Sequence, residues 1–250
     1  VNVLFGTPIG PATSGDLFLK RGSGGLAGTG NANDEFGSVL AAGDLTGDGF
    51  DDLVAGVPSD GVDGKADAGT VHAIPGSGSG PSGANDVLFR EGSNGIAGKP
   101  AKFDGFGSSL AVGDSNNDGY DDLLIGIPNQ KVNGERQAGT AAYIPGSPTL
   151  DGAGDSRWHE DRNTVLGDSE RADHLGTAVA LIDVNGNGRA DLIMGIPDQN
   201  SDTAKKDVGA ILLIRGGTKK PVTKNNQYLW QGVDGLSDAQ QKFDRFGAAF

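Results

Sequence analysis

The chain has 250 residues, 44 of them glycine, no cysteine, and a formal net charge of −13. Such an acidic chain without a basic stripe is a poor partner for a phosphate backbone, which excludes nucleic-acid binding. The lack of cysteine removes both disulfides and thiolate metal sites, and no apolar run reaches the roughly 18 residues of a membrane-spanning helix.

In chain order, VNVLFGTPIGP from Val1 aligns with VHAIPGSGSGP from Val71, so the chain is expected to begin inside a repeat and to be a segment of something longer. The first full unit opens at Phe36-Gly37. FGSVLAAGD (Phe36 to Asp44) and DLVAGVP (Asp52 to Pro58) are short apolar runs separated by an acidic loop, and they read as two strands. GTVHAIPGS at Gly69 and NDVLFREGS at Asn85 supply a third and a fourth. The same four runs return at Phe106, Asp122, Gly139 and Ser156, then at Leu175, Asp191, Gly209 and Asn226. A further copy opens at Phe246-Gly247. The opening pairs are spaced by 70, 69 and 71 residues, a true internal period with no helical pattern between the runs.

Four short antiparallel strands per unit, punctuated by Gly and Pro, predict an all-β chain of stacked propeller blades. The expected division is a partial blade over 1–35, blades over 36–105, 106–174 and 175–245, and the start of another over 246–250. That makes about three and a half blades. Both terminal blades would present unpaired strand edges, from which association of two such chains to complete a ring is expected.

Between the first two strands of each unit stand DLTGDGFDD (Asp44 to Asp52), DSNNDGYDD (Asp114 to Asp122) and DVNGNGRAD (Asp183 to Asp191). A Gly-x-Pro follows each, at Gly56 to Pro58, Gly126 to Pro128 and Gly195 to Pro197. The combination of Phe-Gly, acidic loop and Gly-x-Pro resembles the FG-GAP repeat of integrin alpha-subunit head domains and of secreted bacterial proteins. The resemblance covers essentially the whole chain, with GVP, GIP and GIP in place of Gly-Ala-Pro. It implies four-stranded blades of a seven-bladed propeller, with calcium held in the hairpin between the first and second strands. About three and a half repeats do not close such a ring.

The loops themselves have the chemistry of a calcium site. Calcium takes six to eight oxygens, which a short loop supplies from alternate side chains and one carbonyl. The candidate ligands of the first loop are Asp44, Thr46, Asp48, the Phe50 carbonyl and Asp52. Those of the second are Asp114, Asn116, Asp118, the Tyr120 carbonyl and Asp122, and those of the third are Asp183, Asn185, Asn187, the Arg189 carbonyl and Asp191. An EF-hand is ruled out, because position 12 is Ala55, Ile125 or Met194 and not an acid. Asp, Asn and Gly are also turn formers in their own right, but donors repeated at positions 1, 3, 5 and 9 in three copies favour metal. With two carboxylates in place of three, plus Arg189, the third site is expected to bind calcium most weakly. Three divalent ions would offset six units of the negative charge.

No catalytic pattern stands out. His72, His159 and His174 have no metal-ligand spacing, and neither a GxSxG nor a phosphate-cradling GxxxxGKS is present. Trp158-His159-Glu160-Asp161 is the one acid–base cluster, and it reads as an exposed strand edge carrying an amphipathic Trp. The expected function is a non-catalytic, calcium-binding module, secreted or on the cell surface, for adhesion or for binding a protein or glycan ligand. The variable loops Asp60 to Ala68, Asn129 to Ala138 and Asp198 to Val208 would carry recognition. Two alternatives are a lectin-like sugar binder, which needs aromatics such as Phe89, Trp158 and Trp230 at one place in the unit, and an accessory domain of a secreted hydrolase such as a phospholipase.

Overall fold

A computed structural model describes all residues except 9, 13, 163, 201–205, 232–235 and 237–239. The strands are β1 (Asn2–Val3), β2 (Gly6–Thr7), β3 (Gly10–Pro11), β4 (Leu17–Phe18), β5 (Val39–Gly43), β6 (Asp52–Val57), β7 (Thr70–Ile74), β8 (Val87–Phe89), β9 (Ser109–Gly113), β10 (Asp122–Ile127), β11 (Thr140–Ile144), β12 (Ser156–Trp158), β13 (Val179–Ile182), β14 (Asp191–Ile196), β15 (Ala210–Arg215) and β16 (Val222–Leu229). A single 3-10 turn at Gly83–Asn85 is the only helical element among the described residues.

These strands form three four-stranded antiparallel sheets, β5-β6-β7-β8, β9-β10-β11-β12 and β13-β14-β15-β16, each in simple chain order. Each has the four-stranded antiparallel form expected of a propeller blade. Two small sheets precede them, β1 with β4 and β2 with β3. β1 and β4 pair antiparallel, Asn2 opposite Phe18 and Val3 opposite Leu17. One strand differs from expectation: β16 begins at Val222, four residues before the predicted Asn226, and a register irregularity between Leu213 and Arg215 accommodates the added length.

The second and third strands of each blade are apolar along almost their whole length, because both faces are covered by neighbouring blades. The core therefore lies between blades. One cluster joins Val54, Val71 and Phe89 of the first blade to Phe106, Leu123 and Ile125 of the second, and another joins Leu124, Tyr143 and Trp158 of the second to Leu175, Leu192 and Met194 of the third. The first strands β5, β9 and β13 adjoin in succession, as expected for the innermost strand of each blade.

The opening pair and the Gly-x-Pro are two halves of one joint. Phe106 N donates to Ala68 O at 2.9 Å, Leu175 N to Ala138 O at 2.9 Å, and Phe246 N to Val208 O at 3.0 Å, each across to the preceding blade. The apolar residue of the pair is fully buried at Phe106 and Leu175, a burial worth about 2–3 kcal/mol. The first Gly of Gly-x-Pro then lies against the backbone of the next pair: a Cβ on Gly56, Gly126 or Gly195 would stand 2.4, 2.0 or 1.9 Å from the carbonyl oxygen of Gly107, Gly176 or Gly247. Only glycine permits that approach.

Candidate metal centres

Each acidic loop closes the hairpin between a blade's first and second strands, as the repeat predicts. Position 1 organises it. Asp44 accepts from the amides of Asp48 (3.0 Å) and Gly49 (2.9 Å). Asp114 accepts from Asn116, Asn117 and Gly119, and Asp183 from Asn185, Gly186, Asn187 and Gly188. The residue at position 5 makes a tighter turn within it, with Asp48, Asp118 and Asn187 each accepting from the amide two residues on. The Asp183 carboxyl, exposed but gripped first by the Gly188 amide, is held below the usual range.

Position 9 faces inward. Asp52, Asp122 and Asp191 are fully buried at the start of β6, β10 and β14. Asp52 accepts from Thr46 N (3.0 Å) and Gly76 N (2.8 Å), and Asp122 from Ser115 N (2.9 Å), Ser115 Oγ (2.5 Å) and Gly146 N (2.9 Å). Ser115 Oγ in turn lies 3.0 Å from the buried Tyr143 hydroxyl. Burial raises the pKa of both Asp52 and Asp122, the condition in which a nearby cation most favours the charged form. Among the described residues, no three or more His, Cys, Asp or Glu side chains are gathered into a preformed metal cage. The loop carboxylates are instead turned onto backbone amides.

Two observations bear on whether calcium fits. Thr46 Oγ1 and Asn116 Oδ1, the side-chain oxygens at position 3 of the first two loops, are buried without a hydrogen bond of normal geometry. An orphaned buried oxygen needs a partner, and a hard cation is one. In the third loop the equivalent residue is occupied: Asn185 Nδ2 donates to Asp191 Oδ2 at 2.8 Å. Arg215 Nη1 donates to the same oxygen, also at 2.8 Å. The repeat places Pro75 and Pro145 where Arg215 stands, so the third blade alone carries a guanidinium on its position-9 acid. This is the one signal in the sequence that could have marked Arg215, a proline replaced at a fixed place in the period.

The other expected sites fall as follows. His72 is fully buried with Nδ1 2.8 Å from Asp86 Oδ2, and His174 Nδ1 lies 2.8 Å from Asp198 Oδ2. The Trp158 to Asp161 cluster is not an exposed edge. Trp158 is 2% exposed and Glu160 1% exposed, because the connection to the third blade folds over them, and Arg162 stacks on the Trp158 ring at 4.0 Å. Phe89 and Trp158 are core residues. In strand register their counterpart is Leu229, so Trp230 sits one place beyond and the three aromatics do not recur at one position. Residues 201–205 of the variable loop from Asp198 to Val208 lie outside the described residues.

Three segments of the chain, residues 36–74, 106–144 and 175–214, match the FG-GAP repeat. Similar proteins include a phosphatidylinositol-glycan-specific phospholipase D of Dictyostelium discoideum, 32% identical over 65% of this chain and 18% of its own length. Integrin alpha-8 of Mus musculus is 30% identical over 80% of this chain and 16% of its own length. Integrin alpha pat-2 of Caenorhabditis briggsae is 33% identical over 64% and 13%. The chain thus spans less than a fifth of the length of these relatives.

Proposed function

Because this chain is an FG-GAP repeat protein, we propose that it is an extracellular, calcium-stabilised module whose blade-connecting loops bind a protein or glycan ligand, without catalysis of its own. The observation that carries the calcium reading is the pair of buried side-chain oxygens at position 3 of the first two hairpins, Thr46 Oγ1 and Asn116 Oδ1, in loops whose position-9 aspartate is fully buried. Bound there, calcium would supply positive charge to the buried carboxylate and tie both ends of the hairpin to one ion. Asp44, Asp48 and Asp52, with Thr46 and the Phe50 carbonyl, would hold it in the first blade. Asp114, Asp118 and Asp122, with Asn116 and the Tyr120 carbonyl, would do so in the second. In the third blade Asp183, Asn185, Asn187, the Arg189 carbonyl and Asp191 offer the weakest site, since Arg215 already neutralises Asp191.

The extracellular assignment is supported by the similarity to integrin alpha chains and to phosphatidylinositol-glycan-specific phospholipase D. The latter also favours a second reading, an accessory domain attached to a hydrolase. A lectin role loses its support with the burial of Phe89 and Trp158. The test is a thermal melt with calcium and again with a chelator, since an ion bound only by the folded state raises its stability. A clear upward shift with calcium supports the reading; coincident melts overturn it.

A further inference from the structure

The connection entering each blade carries a buried polar junction that is built from the same three repeat positions and balanced differently each time. At the entry to the first blade Arg21 donates to Asp34 Oδ2 (2.9 Å) and to Asp60 Oδ2 (2.7 Å), and Thr70 Oγ1 also donates to Asp60 (2.8 Å). At the entry to the second blade the equivalent residues are Glu91, Asp104 and Gln130. There the guanidinium arrives from β12: Arg157 Nη2 lies 3.0 Å from Glu91 Oε1, Gln130 Nε2 donates to the same oxygen at 2.5 Å, and Thr140 Oγ1 donates to Gln130 Oε1 at 2.5 Å. Both junctions hold a fixed cation.

At the entry to the third blade the equivalent residues are Glu160, Asp173 and Gln199, and two of the three donors of the second junction, Arg157 and Thr140, are gone. Arg157 is replaced by Tyr228, whose hydroxyl donates to Glu160 Oε1 at 2.8 Å, and Thr140 by Ala210. Glu160 is 1%, Asp173 0% and Gln199 8% exposed. Glu160 Oε2, Asp173 Oδ1 and Gln199 Oε1 are all buried without a partner. Neither acid has a salt bridge among the described residues. That the three positions correspond is visible in their shared glycine: a Cβ on Gly28, Gly98 or Gly167 would meet Arg21 Nη2, Glu91 Oε1 or Glu160 Oε1, each at 2.5 Å. A cavity of about 380 Å³ lined by Gly167, Glu170, Gln199 and Tyr228 adjoins the junction on its Gln199 side.

We propose that the junction entering the third blade binds a hard metal cation, calcium first, on Glu160 Oε2, Asp173 Oδ1 and Gln199 Oε1, in the position that guanidinium groups hold in the two preceding junctions. Two carboxylates match a divalent charge, and an all-oxygen set with room for water suits calcium. The charged groups acting on the pair are Asp161 and Glu170 around Glu160, and Glu170, Asp198 and Glu135 around Asp173, with Asp198 itself paired to Arg245 and His174. Burial raises both acids, so the competing occupant is a proton. The site shares no residue with the hairpin loops and does not depend on their binding calcium.

Trp230, whose ring meets Tyr228 edge-on at 5.4 Å, provides a local reporter. Terbium ions added to the chain should show luminescence sensitised through tryptophan, and the D48N/D118N double variant, altered only in the loops, should retain it. Y228R, which recreates the second junction, and the E160Q/D173N double variant should each weaken this binding at least about ten-fold, because ligand charge sets affinity at such sites. Absence of the signal in the parent chain, or its persistence in both junction variants, overturns the proposal. Absence of the signal together with a melt that rises in acid and ignores metal assigns the junction to protons and overturns it equally. The loop reading is scored separately, on the D48N/D118N melt with calcium and chelator.

Discussion

Arg215 reaches across from the end of β15 to Asp191 at the start of β14, its Nη1 2.8 Å from Asp191 Oδ2, while Gly216 N donates to the other carboxylate oxygen at 2.8 Å. The position-9 acid of the third loop is thereby satisfied from within the protein. In the first two blades proline occupies the corresponding place, and the acid there meets only neutral donors.

Calorimetric titration should accordingly resolve two loop sites of similar strength and a third weaker by at least about ten-fold, given how steeply ligand charge sets calcium affinity. R215P should raise the affinity of the third loop toward the other two. Equal affinity in the unaltered chain, or no gain in R215P, would sink this account.

Asp118 and Asp122 should separate the metal from the hairpin. Asp122 accepts from two backbone amides and the Ser115 hydroxyl in the core. D122A should therefore cost about 3 kcal/mol even with calcium chelated, the penalty of leaving buried donors unpaired. Asp118 bonds only the Tyr120 amide in an exposed turn, so D118N should lose most of that loop's calcium-dependent stabilisation and little else. Urea melts with and without chelator distinguish the two patterns.

Gly126 should tolerate no side chain. Its Cβ would stand 2.0 Å from the Gly176 carbonyl oxygen, and a close-packed joint between blades cannot yield that far, so G126A should destabilise by about 3 kcal/mol or more. Gly119 has φ +89° with open space around it, and G119A should cost only the backbone strain, about 1–2 kcal/mol. A G126A melt indistinguishable from that of G119A would refute the joint described for Gly-x-Pro.

Stability should depend on pH through the blade junctions. Burial pushes the Glu91 carboxyl up to about 7 in the folded chain, with the Arg157 guanidinium beside it opposing and Asp104 adding to the rise. A folded-state value above the unfolded one means that the folded chain binds the extra proton between them. The contribution of Glu91 is therefore most favourable below about pH 4.5 and is lost as pH rises toward 7. Asp173, also raised to about 7 by burial, acts in the same direction from its usual 3.8 upward. With metal chelated, the urea midpoint attributable to these groups should fall between pH 5 and 7.5, and E91Q should flatten part of the slope. An unchanged slope in E91Q would exclude Glu91 as its source.

The periodic features were legible in the sequence because repetition itself reports them. Phe36-Gly37, the three acidic loops and Gly-x-Pro, returning every 69 to 71 residues, fixed the blades, their strand order and the hairpins that bear the candidate metal ligands. Strands covered on both faces leave apolar runs such as DLLIGI that cannot be mistaken for surface. What the sequence could not determine is what happens where repeats meet. Glu160 and Trp158 read as a polar edge because only the packing of the next blade buries them, and Tyr228 lies 68 residues from the glutamate it bonds. Arg215, Ala210 and Tyr228 are single departures from the period whose meaning depends on the side chain facing them across a blade or a junction. Burial and pairing are properties of the assembled stack, and only the tertiary structure decided which buried charges have an ionic partner and which do not.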